Sequence, residues 1–258
     1  MTRIHPTAIV ERGAELHSSV EVGPYAVIGP RVRIGAGSRI GAHAVIEGDT
    51  QIGEGNHIFQ LAAIGAIPQD LKYAGEPTRL VIGDGNSIRE FATVHLGTAH
   101  GGAVTRIGNR CLLMANSHVA HDVQLGDGCI LANSAAIAGH CVIEDRVIFG
   151  GLSAVHQFTR IGRLAFISGG AMVTQDVPPY VTVQGDRAEV AGLNTVGLTR
   201  SQFTPDQVTR VKSAYKILYR SKMGLREAVA HVKAEHGGHP EIDHLVAFLE
   251  GSERGIAR

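Results

Sequence analysis

An imidazole, a carboxylate and a gap recur at a telling spacing in the middle of this chain. Asp122 follows His121, Gly139 lies 18 residues beyond His121, and Gln157 lies 18 beyond that. His118, His140 and His156 flank the series. If residues 18 apart lie over one another, His121 faces a position with no side chain, with an amide above it. A neutral imidazole, with a reference pKa of about 6.5, can take a proton from a hydroxyl near neutral pH. The N–H of Gly139 could hold the oxyanion of an acyl-transfer intermediate. Asp122 could orient His121, provided a turn brings the two together, because neighbouring side chains in a strand diverge. No Cys or Ser lies in the column, which suits direct attack on an acyl donor rather than a covalent enzyme intermediate.

The spacing matters because of a six-residue beat. Stepping by six from Ile4 meets Val10, Leu16, Val22, Ile28 and so on to Ile64, always a branched aliphatic. The beat returns at Ile82, Ile88 and Val94, slips by one, and runs from Ile107 to Val173. This is the hexapeptide signature of a parallel β-helix. Each hexad makes a short strand and a turn, three close a triangular coil, and the aliphatic points to the axis. Eight to nine coils at about 4.8 Å each predict a prism about 40 Å long.

Two stretches break the beat: 65–81, with two Pro and two Gly, and 97–106, GTAHGGAVTR. Loops thrown from a rigid solenoid are where function concentrates. The spacing predicts a β-helix over 1–180, ending at the paired Pro of DVPPY (176–180), then a connector and helical domain over 181–258. Thr204-Pro205-Asp206-Gln207 reads as an N-cap, a Pro at the first helical position and a capping-box Gln. Val208, Val211, Tyr215 and Leu218 continue it as a helical stripe. Further helices are expected from Leu225 to about Glu235 and from Pro240 onward, capping the C-terminal end of the prism.

Composition excludes several classes. The 258 residues carry 24 basic and 24 acidic side chains, which argues against a nucleic-acid partner. No signal-peptide pattern or long apolar stretch is present, so the expectation is a cytoplasmic protein without stable membrane insertion. Cys111, Cys129 and Cys141 sit in core phase, as buried thiols rather than metal ligands. Among the 14 His, His5, His17 and His95 are expected to face outward, and His231, His236, His239 and His244 to be solvated in the helical tail. A zinc site needs three converging His and a water; His118 and His121, three apart across a turn, would not point together.

The segments QDLKYAGEPTRL (69–80), HVAHDV (118–123), AGH (138–140), AVHQF (154–158) and DVPPYV (176–181) resemble the UDP-N-acetylglucosamine acyltransferases of lipid A synthesis. The resemblance covers the whole chain, helical tail included. It implies a homotrimer of left-handed prisms, with active sites between neighbours and no cofactor or metal. The donor would be a 3-hydroxyacyl chain on acyl carrier protein, the acceptor the 3-hydroxyl of UDP-N-acetylglucosamine. His121 would be the general base, Asp122 its partner and Gly139 the oxyanion contact. His118, His140, His156 and Gln157 would line the sugar nucleotide. Asp70 and Lys72 would reach across to a neighbour's substrate. Asn194 and Arg200 would stand at the uridine and phosphate end, and Gly169 would gate acyl-chain length, leaving room for a long chain. Val196, Ser201 and QGDRA (184–188) depart from the commoner family residues at the nucleotide end. Transfer to a 3-amino sugar or another N-acyl transfer is the alternative; a carbonic-anhydrase-like metal trimer is a further one.

Overall fold

The computed structural model describes residues 3–258. Among the described residues, strands of mostly two residues alternate with tight turns and stack into three faces of 11, 9 and 8 strands, parallel throughout except for the last strand of the first face. The chain visits the faces in rotation, so the section is triangular. Every beat aliphatic from Val22 to Val173 is buried in one continuous core. The stacking is the expected one: Val119 pairs with Ile137, and Ile137 with Val155. At the N-terminal end the first coil has a neighbour on one side only. Ile4 is exposed there, and Val10 and Leu16 are half-buried.

The ladder absorbs both excursions without losing phase, because the strands beside them lengthen. Arg79–Ile82 has four residues and pairs with Asp49–Ile52 on one side and Val104–Ile107 on the other. The irregular parts are therefore shorter than the broken beat implied. A 3-10 turn, Ala99–Gly101, lies inside the second. The three cysteines are free and buried as expected. Burial pushes the Cys141 thiol up to about 12, which leaves it unreactive.

The parallel ladder runs one strand beyond the Pro pair. Val181–Gln184 pairs with Phe166–Ile167 and then turns back antiparallel as Glu189–Leu193. The connector next forms a short helix that the hydrophobic periodicity did not reveal, α1 (Thr195–Arg200). Helix α2 (Pro205–Arg220) starts with the full Thr204–Gln207 capping box; α3 (Leu225–His236) and α4 (Pro240–Glu250) follow. Their apolar faces bury Leu164 and Tyr180 of the prism in a second core.

His231 and His239 are exposed and His236 half-buried, but His244 is not free in solvent. Its Nε2 lies 2.7 Å from a Glu144 carboxylate oxygen, because α4 packs against the prism corner there. Arg160 reinforces that seam, over the Phe248 ring and to the Gly251 carbonyl at 2.7 Å.

Candidate active site

The corner between the second and third faces carries the predicted column. Asp122, His140 and Phe158 occupy equivalent turn positions, all with left-handed backbone (φ 61, 62 and 64°). That conformation costs an ordinary L-residue about 1–2 kcal/mol, less for Asp. Here it folds the Asp122 side chain back over its neighbour. The turn thus brings Asp122 to His121: Nδ1 lies 2.8 Å from Asp122 Oδ2. Asp122 is itself held. Thr98 donates to it from both N–H (2.9 Å) and hydroxyl (2.6 Å), and its own N–H donates to Thr105 Oγ1 at 2.8 Å. With Nδ1 as the proton donor to Asp122, Nε2 of His121 is left as the basic atom.

Gly139 lies against the ring. A Cβ there would come 2.5 Å from His121 Cε1, so no other residue fits without moving the imidazole. The corner between the third and first faces offers a contrast with the catalytic corner. There each coil's N–H is taken by the next coil's side chain: Asp84 by Asn109, Asn109 by Asp127, and Asp127 by Asp145, each at 2.8 Å. Among the described residues nothing accepts from the Gly139 N–H. A free donor beside a poised imidazole is what an acyl-transfer site requires.

His140 stacks on Phe158 at 4.4 Å and meets the His121 ring edge-on at 4.9 Å. Burial lowers its pKa, so it is neutral at pH 7. His118 is lowered the same way and accepts or donates at 2.7 Å with Thr93. His121, Asp122 and His140 place one ligand atom each within 4.8 Å of one another, a grouping that could hold a metal. Asp122 Oδ2 already serves Thr98 and His121, so the set reads first as an acid–base group. His156 and Gln157 lie exposed on the coil above, where Arg254 reaches His156 Nδ1 at 3.3 Å.

The other predicted residues lie elsewhere on the chain. Asn194, Val196, Arg200 and Ser201 line a cavity of about 750 Å³ with Arg146 and Phe166, on the side of the first face. Asn194 is partly committed: it caps α1 through Gly197 N–H and donates to the Leu164 carbonyl at 2.8 Å. Gly169 sits exposed at the corner between the first and second faces. Asp70 stands close to its own chain's histidines, while Lys72 is exposed.

Residues 176–257 match the family model described as Udp N-acetylglucosamine O-acyltransferase, domain 2, and 13–48 and 105–139 match the bacterial transferase hexapeptide model. The chain is 63% identical over 255 residues to an acyl-[acyl-carrier-protein]–UDP-N-acetylglucosamine O-acyltransferase from Anaeromyxobacter dehalogenans, covering 99% of both. It is 61% identical to the protein of the same name from Myxococcus xanthus, over the full length of each. The chain belongs to the UDP-N-acetylglucosamine O-acyltransferase family. The crystal structure of the Moraxella catarrhalis family member superposes with a TM-score of 0.95 at 42% identity, covering 99% of each chain. The left-handed coiling of that family, against the usual crossover hand, is shared here.

Two residues beside the candidate site escaped the periodicity. Thr98 carries no sequence signal; only the folded second excursion brings it to Asp122. His95 was expected to face outward and is buried instead. Its strand runs past the beat residue and pairs with Ala66, where the first excursion leaves the coil. Its ring then packs edge-on to His118 at 4.8 Å. Burial, with His118 and His121 nearby, pushes His95 down to about 4. An imidazole in the unfolded chain titrates near 6.5, so as pH falls the unfolded state takes up its proton first. Native stability should therefore decline from about pH 6.5 toward 4, by at most about 1.4 kcal/mol per unit from this group. Denaturant midpoints between pH 6.5 and 5 should fall less steeply in His95→Asn than in the wild type. Equal slopes would remove His95 as the cause.

Proposed function

We propose that this protein transfers a 3-hydroxyacyl chain from acyl carrier protein to the 3-hydroxyl of UDP-N-acetylglucosamine, in the cytoplasm, as the opening step of lipid A synthesis. The observation that carries the reading is the His121 imidazole, pinned by Asp122 and set against a glycine with a free N–H. His121 Nε2 removes the proton from the acceptor hydroxyl as its oxygen attacks the thioester carbonyl. The Gly139 N–H takes the oxyanion of the tetrahedral intermediate. Collapse expels the carrier thiolate, and the proton on His121 is available to it. Asp122 stabilises the imidazolium between these steps.

The working form is a homotrimer. On one prism the catalytic corner and the Asn194–Arg200 cavity flank opposite edges of the third face. A threefold axis facing that side sets the first beside a neighbour's second, completing a site that one protomer holds in halves. Exposed apolar side chains on the excursion (Ile67, Leu71), the third face (Val142) and the catalytic corner (Phe158) support this packing. Val196 and Ser201 fall in the cavity wall, so acceptor recognition there differs in detail from relatives with other residues.

The test is purified protein with UDP-N-acetylglucosamine and a panel of acyl carrier proteins, with product mass as the readout. No acyl transfer to the sugar nucleotide with any donor would end the proposal. Gly169 sets the chain length in this reading. A Cβ there would meet only the Gly151 backbone, its carbonyl oxygen at 3.4 Å and its nitrogen at 3.9 Å, so the fold tolerates a side chain. Gly169→Met should shift preference toward shorter acyl chains, by about tenfold or more in relative kcat/KM per displaced methylene. An unchanged profile across donors of graded length would remove Gly169 from that role.

A further inference from the structure

The first excursion carries Asp70 and Lys72, yet it has little to hold it. Among the described residues, the hydrogen bonds of 67–77 stay inside the loop. Lys72 N–H and Tyr73 N–H return to Asp70, Tyr73 hydroxyl to the Glu76 carbonyl, and Ala74 N–H to the Glu76 carboxylate. Leu71 at its tip is fully exposed and Ile67 largely so. One polar contact ties this segment to the rest of the protein: His100 Nε2 approaches Asp70 Oδ2 to 3.1 Å.

His100 is well placed for that task. It sits in the Ala99–Gly101 turn, two residues beyond Thr98, which grips Asp122 with both its N–H and its hydroxyl. Its ring centre is 5.8 Å from that of His140, which is 4.9 Å from that of His121. The two excursions therefore meet beside the catalytic corner. Asp70 and His100 thus form a row that leads into the His140–Asp122–His121 cluster, where Asp122 Oδ2 lies 3.6 Å from His140 Nδ1 and 2.8 Å from His121 Nδ1. Lys72 and Glu76 are the other charged groups near it. The Lys72 N–H, and after it the fields of His100 and His121, hold the Asp70 carboxyl below its usual range, so Asp70 enters the row as an anion.

We propose that His100 is a positioning residue: it anchors Asp70, and with it the loop 67–77, as the wall of the slot that receives the acceptor sugar. The inference rests on the acyltransferase reading above and adds to it a residue to which neither the periodicity nor the motifs assigned a role. The contact is a close approach of a half-exposed imidazole to a carboxylate, 3.1 Å from Nε2 to Oδ2, and loss of the tether should raise KM by about tenfold.

Two variants of the full-length assembled protein test this. His100→Leu removes the donor. His100→Gln keeps one, because the glutamine amide nitrogen, Nε2, reaches the place of the imidazole Nε2. The Leu variant should show about a tenfold higher KM for UDP-N-acetylglucosamine, with KM for the acyl carrier substrate and kcat much less affected. Amide hydrogen exchange over 67–77 should quicken in the same variant. The Gln variant should restore both. Unchanged acceptor KM and exchange in His100→Leu would overturn the proposal. So would a Gln variant as impaired as the Leu variant, or a loss confined to kcat. Should the wild type itself fail to acylate the sugar nucleotide, the functional reading falls, while the exchange comparison still decides whether His100 holds the loop.

Discussion

His121→Ala should lower kcat/KM by about 10²–10⁴-fold, the usual worth of a positioned general base. The protein should stay folded, because His121 lies at a turn and contributes nothing to the axial core. Its removal leaves Asp122 bonded to both donors of Thr98, so no buried carboxylate is orphaned. The Gly139 N–H also survives, and it accounts for the residual rate. Single-turnover assays with matched circular dichroism and oligomer size would separate chemistry from folding. Turnover within a few-fold of wild type, in a correctly assembled variant, would refute the base assignment and with it the mechanism.

Ile137→Asp acts at the other extreme. Ile137 has no exposed surface and stacks between Val119 and Val155 along the axis of the prism. Loss of the aliphatic alone costs about 2–5 kcal/mol. A carboxylate in its place must be desolvated with no partner, or be protonated, which adds several more. The sum approaches the whole net stability of a domain, about 5–15 kcal/mol. The expected result is insoluble or unfolded protein, while Ile137→Val loses only about 0.5–1.5 kcal/mol. A soluble Asp variant with wild-type melting behaviour would mean that this position does not face the axis.

The contrast between these two residues shows which features local pattern encodes. A solenoid repeats one local rule, so an aliphatic every sixth residue states at once which side chains face inward. The same rule makes position 139 overlie position 121, and the gap beside the imidazole follows from the residue types alone. The capping box at Thr204 is equally local and starts α2 where the pattern placed it. His244 and His95 differ, because their surroundings come from parts of the chain with no shared period. His244 meets Glu144, 100 residues away, only once α4 docks on the prism. His95 is buried by an excursion that leaves the coil beside it.

Sequence by itself determined the prism, its phase, the buried thiols and the column His121–Gly139–Gln157, since all of these depend on periodicity. Tertiary structure alone decided how the excursions fold. It brought Thr98 to Asp122 and His100 to Asp70, and it put Asn194 and Arg200 on a different side of the prism from His121. The physical reason is that irregular loops take their conformation from non-local contacts, which no repeat in the chain records.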